Sequence, residues 1–267
     1  MTESASESTE ATQSDTVAVG IDIGGTGIKG AIVNVATGEL LTDRKKLPTP
    51  EGGEPDAIVA TTKELLTSLG DIPADASVGI CFPAVVRHGR TMSAANVSKK
   101  WIGFEAEALF EKELGRDITF VNDADAAGYA EVTYGAAKGR EGLIILTTLG
   151  TGIGTALIYN GVLIPNAELG HIQIDGGDYE PKAAYSAKER EDLSWKKWAK
   201  RLNTYYHELE ALLSPDLFIV GGGVSKNYGD FFPLLELNTE IVVAELRNNA
   251  GIMGAARLST TKSLRLE

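Results

Sequence analysis

The segment GGTGIKGAIV, residues 24–33, recurs as LGTGIGTALI at residues 149–158, an offset of 125 positions. Each copy follows an apolar run and continues into another, which predicts a strand, a glycine turn and a second strand. A shared motif in the same setting half a chain apart indicates an internal duplication. We therefore predict an α/β protein with two related domains around a central cleft, because ligand sites favour domain interfaces. The identical positions are Gly25, Thr26, Gly27, Ile28 and Ala31 in the first copy and Gly150, Thr151, Gly152, Ile153 and Ala156 in the second.

The glycine turns admit three interpretations. The first, GTGIKG at 25–30, matches the dinucleotide fingerprint, but that site needs a helix at the second glycine, whereas AIVNVATGELL favours a strand. A single glycine hairpin is often purely structural. Two matched turns and a third glycine run at 221–223 favour phosphate binding, since glycine lets backbone N–H groups approach phosphate oxygens. Thr26 and Thr151 add hydroxyl donors, and Lys29 is either a further charge or simply solvated.

Composition limits the partners. The chain has 267 residues, a formal net charge of −12 and one cysteine, Cys81. A single cysteine excludes an intrachain disulfide and a Cys-cluster metal site, and no run approaches the ~18 apolar residues of a membrane span. The acidic balance argues against nucleic acid as a partner. Residues 1–16 lack the features of a targeting signal, so we expect a disordered tail and a cytoplasmic protein.

The periodicity of apolar residues predicts the remaining elements. Strands are predicted at 16–24, 31–35, 39–47, 77–86 with a break at Pro83, 117–123, 142–150 and 217–223, and a hairpin at Asn160-Gly161. Helices are predicted at 56–69, 104–114, 124–134, 193–213 and 249–258. We place a domain boundary between residues 121 and 122, giving domains 17–121 and 122–267. We also expect the closing helix to pack back on the first domain.

Two polar groups are candidate site residues. Asn122-Asp123 ends an apolar strand before a helix, where it suits either an N-cap or a carboxylate that takes a proton from a hydroxyl. Glu168 and His171 lie three positions apart and would share one face of a helical turn, although surface polarity explains them equally well.

Other polar and aromatic residues are expected to be structural. Cys81 lies in an apolar strand and is predicted to be core. His88 is expected in a turn and His207 on a solvated helix face. The basic and aromatic residues at 195–201 predict an amphipathic surface helix, with anion binding as the lesser alternative.

Five motifs occur in the order seen in the ROK family of sugar kinases, and the chain resembles that family over residues 17–258. They are DIGGTGIKG (22–30), VNDADAA (121–127), LGTGIG (149–154), ELGH (168–171) and GGGVS (221–225). The resemblance implies the actin/hexokinase-like, or ribonuclease H-like, fold. It also implies phosphoryl transfer from ATP or inorganic polyphosphate to the 6-hydroxyl of glucose.

Three further segments are most similar to the polyphosphate-using members of the family: NVSKKW (96–101), IPNAELGH (164–171) and SPDLFIVGGGVSK (214–226). Whether mannose is accepted beside glucose is left open. The expected partners are therefore a sugar and a phosphate donor, and both a monomer and a homodimer remain open.

The resemblance also implies the roles of individual residues, with Asp123 as the catalytic base and Mg²⁺ near Asp22. The sugar hydroxyls would be bound by Asn96, Asn122, Asp123, Glu168, His171 and Glu180, the last aligned across a shortened loop. The phosphates and nucleotide would lie against Asp22, Gly24, Gly25, Thr26, Gly27, Gly150, Thr151, Gly152, Gly221, Gly222 and Gly223, to which we add Lys29.

One departure from the family concerns zinc. Many ROK proteins follow ELGH with a Cys-rich zinc knuckle, whereas IQIDGGDYEPKAAYSAKERE, residues 172–191, contains no cysteine. We therefore expect Mg²⁺ and no zinc.

Three alternative functions stay open. One is a hexose kinase that uses only ATP. Another is a sugar-responsive regulator, which would need a helix-turn-helix domain before the first strand, where only an acidic, low-complexity segment of 16 residues stands. The third is an actin-like filament, which would leave Asn96, Glu168 and His171 unexplained.

Overall fold

A computed structural model describes residues 17–261 of the chain; the predicted disordered tail at 1–16 lies outside the described residues. In chain order the strands are β1 (Val17–Gly24), β2 (Gly27–Asn34), β3 (Lys45–Leu47), β4 (Ser77–Phe82), β5 (Val86–Arg87), β6 (Arg90–Thr91), β7 (Phe104–Glu105), β8 (Ile118–Asn122), β9 (Leu143–Leu149), β10 (Ile153–Tyr159), β11 (Val162–Ile164), β12 (Gln173–Ile174), β13 (Gly177–Asp178), β14 (Leu217–Gly221) and β15 (Glu240–Val243). The α-helices are α1 (Pro55–Ser68), α2 (Ala106–Leu114), α3 (Asp123–Tyr134), α4 (Glu180–Ala183), α5 (Tyr185–Arg190), α6 (Trp195–Leu213), α7 (Tyr228–Phe231) and α8 (Ala250–Ser259).

Two five-stranded sheets repeat one topology. The first has the order β3-β2-β1-β4-β8 and the second the order β11-β10-β9-β14-β15. In both, the first three strands form an antiparallel meander and the last two add parallel strands. This equivalence confirms the duplication that the repeated glycine motif predicts, and the glycine turn lies at the same place in each sheet.

Helices α3 and α8 pack against each other between the sheets. The contact of α8 with the first sheet is close: a Cβ on Gly20 would lie 1.9 Å from the carbonyl oxygen of Ile252, and one on Gly79 would lie 1.9 Å from that of Ala255. Glycine is needed at both strand positions because any side chain would separate helix from sheet. The closing helix therefore packs on the first sheet. The boundary between residues 121 and 122 remains a prediction.

Each sheet has its own aromatic core on the face away from these two helices. In the first, Trp101 is fully buried, with its ring centroid 4.6 Å from that of Phe82. In the second, Trp198 is fully buried beside Phe231, at 5.1 Å between ring centroids. Each glycine turn therefore belongs to a sheet that has its own hydrophobic core.

Several predicted boundaries were wrong by a few residues. Strand β2 begins at Gly27 rather than at residue 31, since the hairpin pairs Gly24 directly with Gly27. Of the predicted strand 39–47, only Lys45–Leu47 forms a regular strand, while Leu40 makes an isolated bridge to Val33. Helix α2 begins at Ala106 because residues 104–105 form β7.

The residues expected to be structural are structural. Cys81 is completely buried, and His88 has a left-handed φ of 51° in the turn between β5 and β6. His207 is exposed on α6, and the same helix buries Trp198 while its lysines face outward. In the part of the chain that the structure describes, no helix is both long enough and apolar enough to cross a bilayer.

Candidate active site

The first glycine hairpin joins β1 to β2 through a two-residue turn, Gly25-Thr26. Two positions back, Asp22 pairs with Lys29 across the strands, and Lys29 Nζ lies 3.0 Å from Asp22 Oδ2. Lys29 is thus held by an acid rather than merely solvated. Asn96 packs on the turn, since a Cβ on Gly25 would approach the Cβ of Asn96 to 2.9 Å. The hairpin therefore brings a predicted phosphate loop and a predicted sugar ligand together.

Asp123 lies where β8 passes into α3. The preceding Asn122 is the N-cap of this helix: its side-chain oxygen accepts from the backbone N–H of Asp125 at 3.0 Å, and its amide nitrogen donates to the Ala84 carbonyl at 3.0 Å. The cap interpretation therefore holds for Asn122. It leaves one amide hydrogen for a ligand, and it fixes the first turn of α3, on which Asp123 is carried.

The carboxyl of Asp123 is tuned by its surroundings. Burial, followed by the negative charge of Asp22, raises the pKa of Asp123 to about 7, although its backbone contact with Ala124 opposes the shift. Glu168 contributes in the same direction. A carboxyl with a pKa near neutrality is suited to accept a proton and return it to solvent.

The second glycine hairpin joins β9 to β10 through three residues, 150–152. Its backbone forms hydrogen bonds with side chains from other parts of the chain. The Glu180 carboxylate accepts from the backbone N–H of Ile153 at 2.9 Å and lies over Gly152, where a Cβ would meet Oε1 at 2.5 Å. Ser186 donates its hydroxyl to the Thr151 carbonyl at 2.7 Å. Both supports come from the short helices α4 and α5. Glu180, expected to bind sugar, therefore also bonds the backbone beside the second glycine loop.

Glu168 and His171 flank a single 3₁₀ turn, Leu169–His171, as their spacing predicted. His171 Nδ1 lies 2.9 Å from Asp178 Oδ2, and this contact raises the pKa of His171 above its ordinary value. Partial burial raises the pKa of Glu168, with Glu180 adding to the effect. Because Asp178 engages Nδ1, the other ring nitrogen of His171 is the one available to a ligand.

Hydrogen bonds of Asn166, here called the Asn166 clamp, connect the segment that carries Glu168 and His171 to the first half of the chain. Asn166 exchanges two hydrogen bonds of 2.8 Å with the backbone of Val86, and its own N–H donates to Asp125 Oδ2 at 2.7 Å. Asp125 is buried, which raises its pKa to about 7, and its other oxygen has no partner among the described residues. The clamp fixes the start of the segment that carries Glu168 and His171.

The third glycine run, Gly221–Gly223, lies against the second hairpin. Gly222 has φ of 81°, and a Cβ there would lie 2.4 Å from the Leu149 carbonyl oxygen. Only glycine fits this position, both for its backbone conformation and for its close approach. The predicted nucleotide loop and the second predicted phosphate loop are therefore neighbours.

The predicted site residues thus lie in two groups, one at the first glycine hairpin and one at the Glu168–His171 turn. The charges of Asp22 and Glu168 raise the pKa of Asp123, and the charge of Glu180 raises the pKa values of Glu168 and His171, so these side chains lie within electrostatic reach of one another. Sequence reasoning missed Asp178, Asn166 and Ser186, which act on the predicted residues through hydrogen bonds. The only local signal was polarity, because the contacts depend on how the loops fold back.

The donor set suits Mg²⁺ bound together with phosphates. Within residues 17–261, no group of three or more His, Cys, Asp or Glu side chains is placed to hold a metal alone. Mg²⁺ commonly uses one or two carboxylates and completes its shell with water and substrate phosphates. The carboxylate of Asp22, beside the first glycine turn, fits that mode of binding.

Comparison with known proteins gives consistent results. The sequence profile of the ROK family matches residues 18–186. The polyphosphate glucokinase of Mycobacterium tuberculosis is 48% identical over 241 residues, which cover 90% of each chain. The crystal structure of inorganic polyphosphate/ATP-glucomannokinase from Arthrobacter sp. strain KM superposes with a TM-score of 0.85 at 47% identity, covering 91% of this chain and 98% of that one.

A more distant structure shares the fold alone. A ROK family glucokinase from Streptomyces griseus, solved with glucose and AMPPNP, has a TM-score of 0.75 at 24% identity, covering 91% of this chain and 98% of that one. The predicted actin/hexokinase-like fold is thus confirmed.

Proposed function

The chain belongs to the ROK family, and on this premise we propose that it transfers a phosphoryl group from inorganic polyphosphate or ATP to the 6-hydroxyl of glucose. The relatives named above support the reaction, and the arrangement of the site supports the residues. The observation that carries the proposal is Asp123 at the N-terminus of α3, buried and within electrostatic reach of both Asp22 and Glu168.

The sugar binds on the side of the site formed by the 3₁₀ turn. Asn96, Glu168 and His171 form hydrogen bonds with the sugar hydroxyls. Asn122 donates its remaining amide hydrogen to the sugar. Asp178 keeps the His171 ring oriented through Nδ1. The Asn166 clamp holds this segment in register with the first half, so the 6-hydroxyl can be held close to Asp123. Fixed positioning of this kind accounts for much of the rate gain in phosphoryl transfer.

The donor binds against the glycine hairpins. Backbone N–H groups of the two turns, with the Thr26 and Thr151 hydroxyls, face the phosphate oxygens, and the charge of Lys29 lies beside them. Mg²⁺ held by Asp22 would neutralise charge on the donor phosphates when bound. With ATP, the nucleoside lies toward Gly221–Gly223.

The reaction balances with Asp123 as the base. The sugar oxygen forms a bond to the terminal phosphorus as the bond from that phosphorus to its bridging oxygen breaks. The leaving group is ADP or a polyphosphate one unit shorter. The hydroxyl proton passes to Asp123 and then to solvent.

The test is a donor-by-acceptor assay on the wild type and on Asp123→Asn. We expect wild-type turnover with both donors on glucose, with mannose scored in the same assay. In the variant, kcat should fall by ~10²–10⁴-fold, because a general base of this kind contributes about that much. Glucose affinity, measured by calorimetry, should stay within about threefold of the wild type.

A matched control and a pH profile sharpen this test. Asp117→Asn removes an exposed carboxylate at the opposite end of β8 and should leave kcat unchanged. Because the pKa of Asp123 is about 7 and only its ionised form is a base, wild-type kcat/KM should fall as the pH drops below 7. Near-normal turnover in Asp123→Asn would remove Asp123 from the role, and turnover with ATP alone would favour an ATP-only hexose kinase.

A further inference from the structure

A row of charged side chains crosses the first sheet beside the glycine turn. Strand pairing places Asp22 on β1 opposite Lys29 on β2, and Lys29 opposite Lys46 on β3. Residues paired across neighbouring strands point to the same face of a sheet. The adjacent residues Leu47 and Ile28 pack into the core on the other face. Lys46 therefore lies on the face that carries the carboxylate of Asp22.

Lys46 reaches the glycine turn itself. A Cβ on Gly27 would come within 2.5 Å of Lys46 Cε, so the lysine side chain passes directly over the first hairpin. The residue is exposed, and it forms no ion pair within residues 17–261. It is thus a cation available to a ligand at the mouth of a predicted phosphate loop.

Three other basic residues that could attract a polyanion are already engaged with acids. These pairs are Lys100 with Glu54, Arg140 with Glu240 and Arg201 with Glu191. In an acidic chain, a polyanion needs a local basic surface, and the structure leaves Lys46 free at the site.

The placement of Lys46 has a cost in stability. Two lysines directly opposite each other on neighbouring strands repel. The Asp22 carboxylate offsets the charge of Lys29, whereas Lys46 has no such acid among the described residues. A role in ligand binding would explain why the chain keeps a lysine whose charge weakens the edge of the sheet.

We propose that Lys46 and Lys29 form a binding path for the phosphates of polyphosphate that lie beyond the transferred group, leading from Asp22 to the sheet edge at β3. Neighbouring strands are ~4.8 Å apart, so the row spans about 10 Å between the backbones of β1 and β3. Because β3 is an edge strand, the path is open to solvent and accepts a long chain. The nucleoside of ATP instead lies toward Gly221–Gly223. The inference rests on the proposed function.

The test compares Lys46→Gln with Lys45→Gln. Lys45 is the adjacent exposed lysine of β3 and points to the opposite face of the sheet. Because each variant removes one lysine, both change the net charge equally. We expect Lys46→Gln to raise the KM for polyphosphate by about tenfold, the size of one charge-assisted contact, and to flatten its salt dependence. The KM for ATP should change by less than about twofold, and Lys45→Gln should match the wild type with both donors.

Calorimetry with polyphosphate alone, without glucose, gives a readout independent of turnover, and the dissociation constant should rise in Lys46→Gln only. A thermal melt checks folding, and Lys46→Gln should be no less stable than the wild type. Equal effects of the two variants would mean that only net charge matters, and an equal rise in KM for both donors would mean that no separate path exists; either overturns the inference. A wild type that cannot transfer phosphate from polyphosphate to glucose would instead overturn the proposed function.

Discussion

The two glycine hairpins share the sequence Gly-Thr-Gly but close differently. In the first, Gly24 pairs with Gly27 across a two-residue turn. In the second, Leu149 pairs with Ile153 across a three-residue loop. The longer loop shifts the register by one residue relative to the aligned sequences. As a result, Gly27 lies within a strand, whereas its counterpart Gly152 lies in the loop.

The hairpins also differ in where their charge comes from. The first carries its own carboxylate, Asp22, on the strand that leads into the turn. The counterpart of Asp22 in the second is Thr147, which is buried and bonds Tyr206 at 2.7 Å. The second hairpin instead receives its carboxylate, Glu180, from a separate helix.

The source of charge decides which part of the site each hairpin influences. Asp22 raises the pKa of Asp123, the proposed base, whereas Glu180 acts on Glu168 and His171, the proposed sugar ligands. The duplication thus supplied one backbone shape twice. Divergence of single side chains then placed an acid that acts on the proposed base beside the first copy, and an acid that acts on the proposed sugar ligands beside the second.

The largest effect is expected from removing the charge of the first hairpin. Asp22→Asn should lower kcat by ~10²–10³-fold with either donor, the usual cost of losing one electrostatic contact to the reacting phosphates. Glucose affinity should be nearly unchanged, because Asp22 is not one of the proposed sugar ligands. Steady-state kinetics and calorimetry measure the two quantities, and Asp43→Asn, an exposed carboxylate, is the control. A weakened affinity for glucose with a normal kcat would contradict the conclusion that Asp22 acts on phosphoryl transfer rather than on sugar binding.

An intermediate effect is expected from substituting the aligned glycines of the two hairpins, Gly27 and Gly152, by alanine. In Gly152→Ala the new methyl group displaces the Glu180 carboxylate from the Ile153 N–H, and the KM for glucose should rise by about tenfold, as expected for loss of one hydrogen bond to a charged group. In Gly27→Ala the methyl group meets the flexible end of Lys46, which can move aside. This variant should keep the wild-type KM for glucose and change only donor affinity. Equal changes in the KM for glucose would show that the hairpins are not specialised.

The smallest effect is expected from Asp178→Asn. Loss of the carboxylate beside His171 Nδ1 should lower the pKa of His171 toward its ordinary value and raise the KM for glucose by about threefold, the low end for one hydrogen-bonded partner. The chain has three histidines, so an NMR titration can follow His171, with His171→Gln to assign its signal. An unchanged pKa would remove Asp178 as a positioning residue.

Much of the fold could be predicted, because local patterns set it. The repeated GTGI motif, the apolar runs before each copy and the Asn160-Gly161 turn predicted the two matching sheets. Asn122 illustrates a limit: its position suited both a cap and a ligand, and only the contacts with Asp125 and Ala84 identified the cap. The boundaries failed where short strands, such as Lys45–Leu47, depend on a neighbouring strand for their hydrogen bonds.

The sequence by itself determined the duplication, the glycine turns and the residue types of the site, since each follows from neighbours along the chain. Only the tertiary structure decided the one-residue difference in register between the hairpins, the pairing of His171 with Asp178, the placement of Glu180 over Gly152 and that of Lys46 over Gly27. The physical reason is that a hydrogen bond or a charge acts over a few ångströms in space. The loops and strands that provide these partners are brought together by packing, which local sequence does not encode.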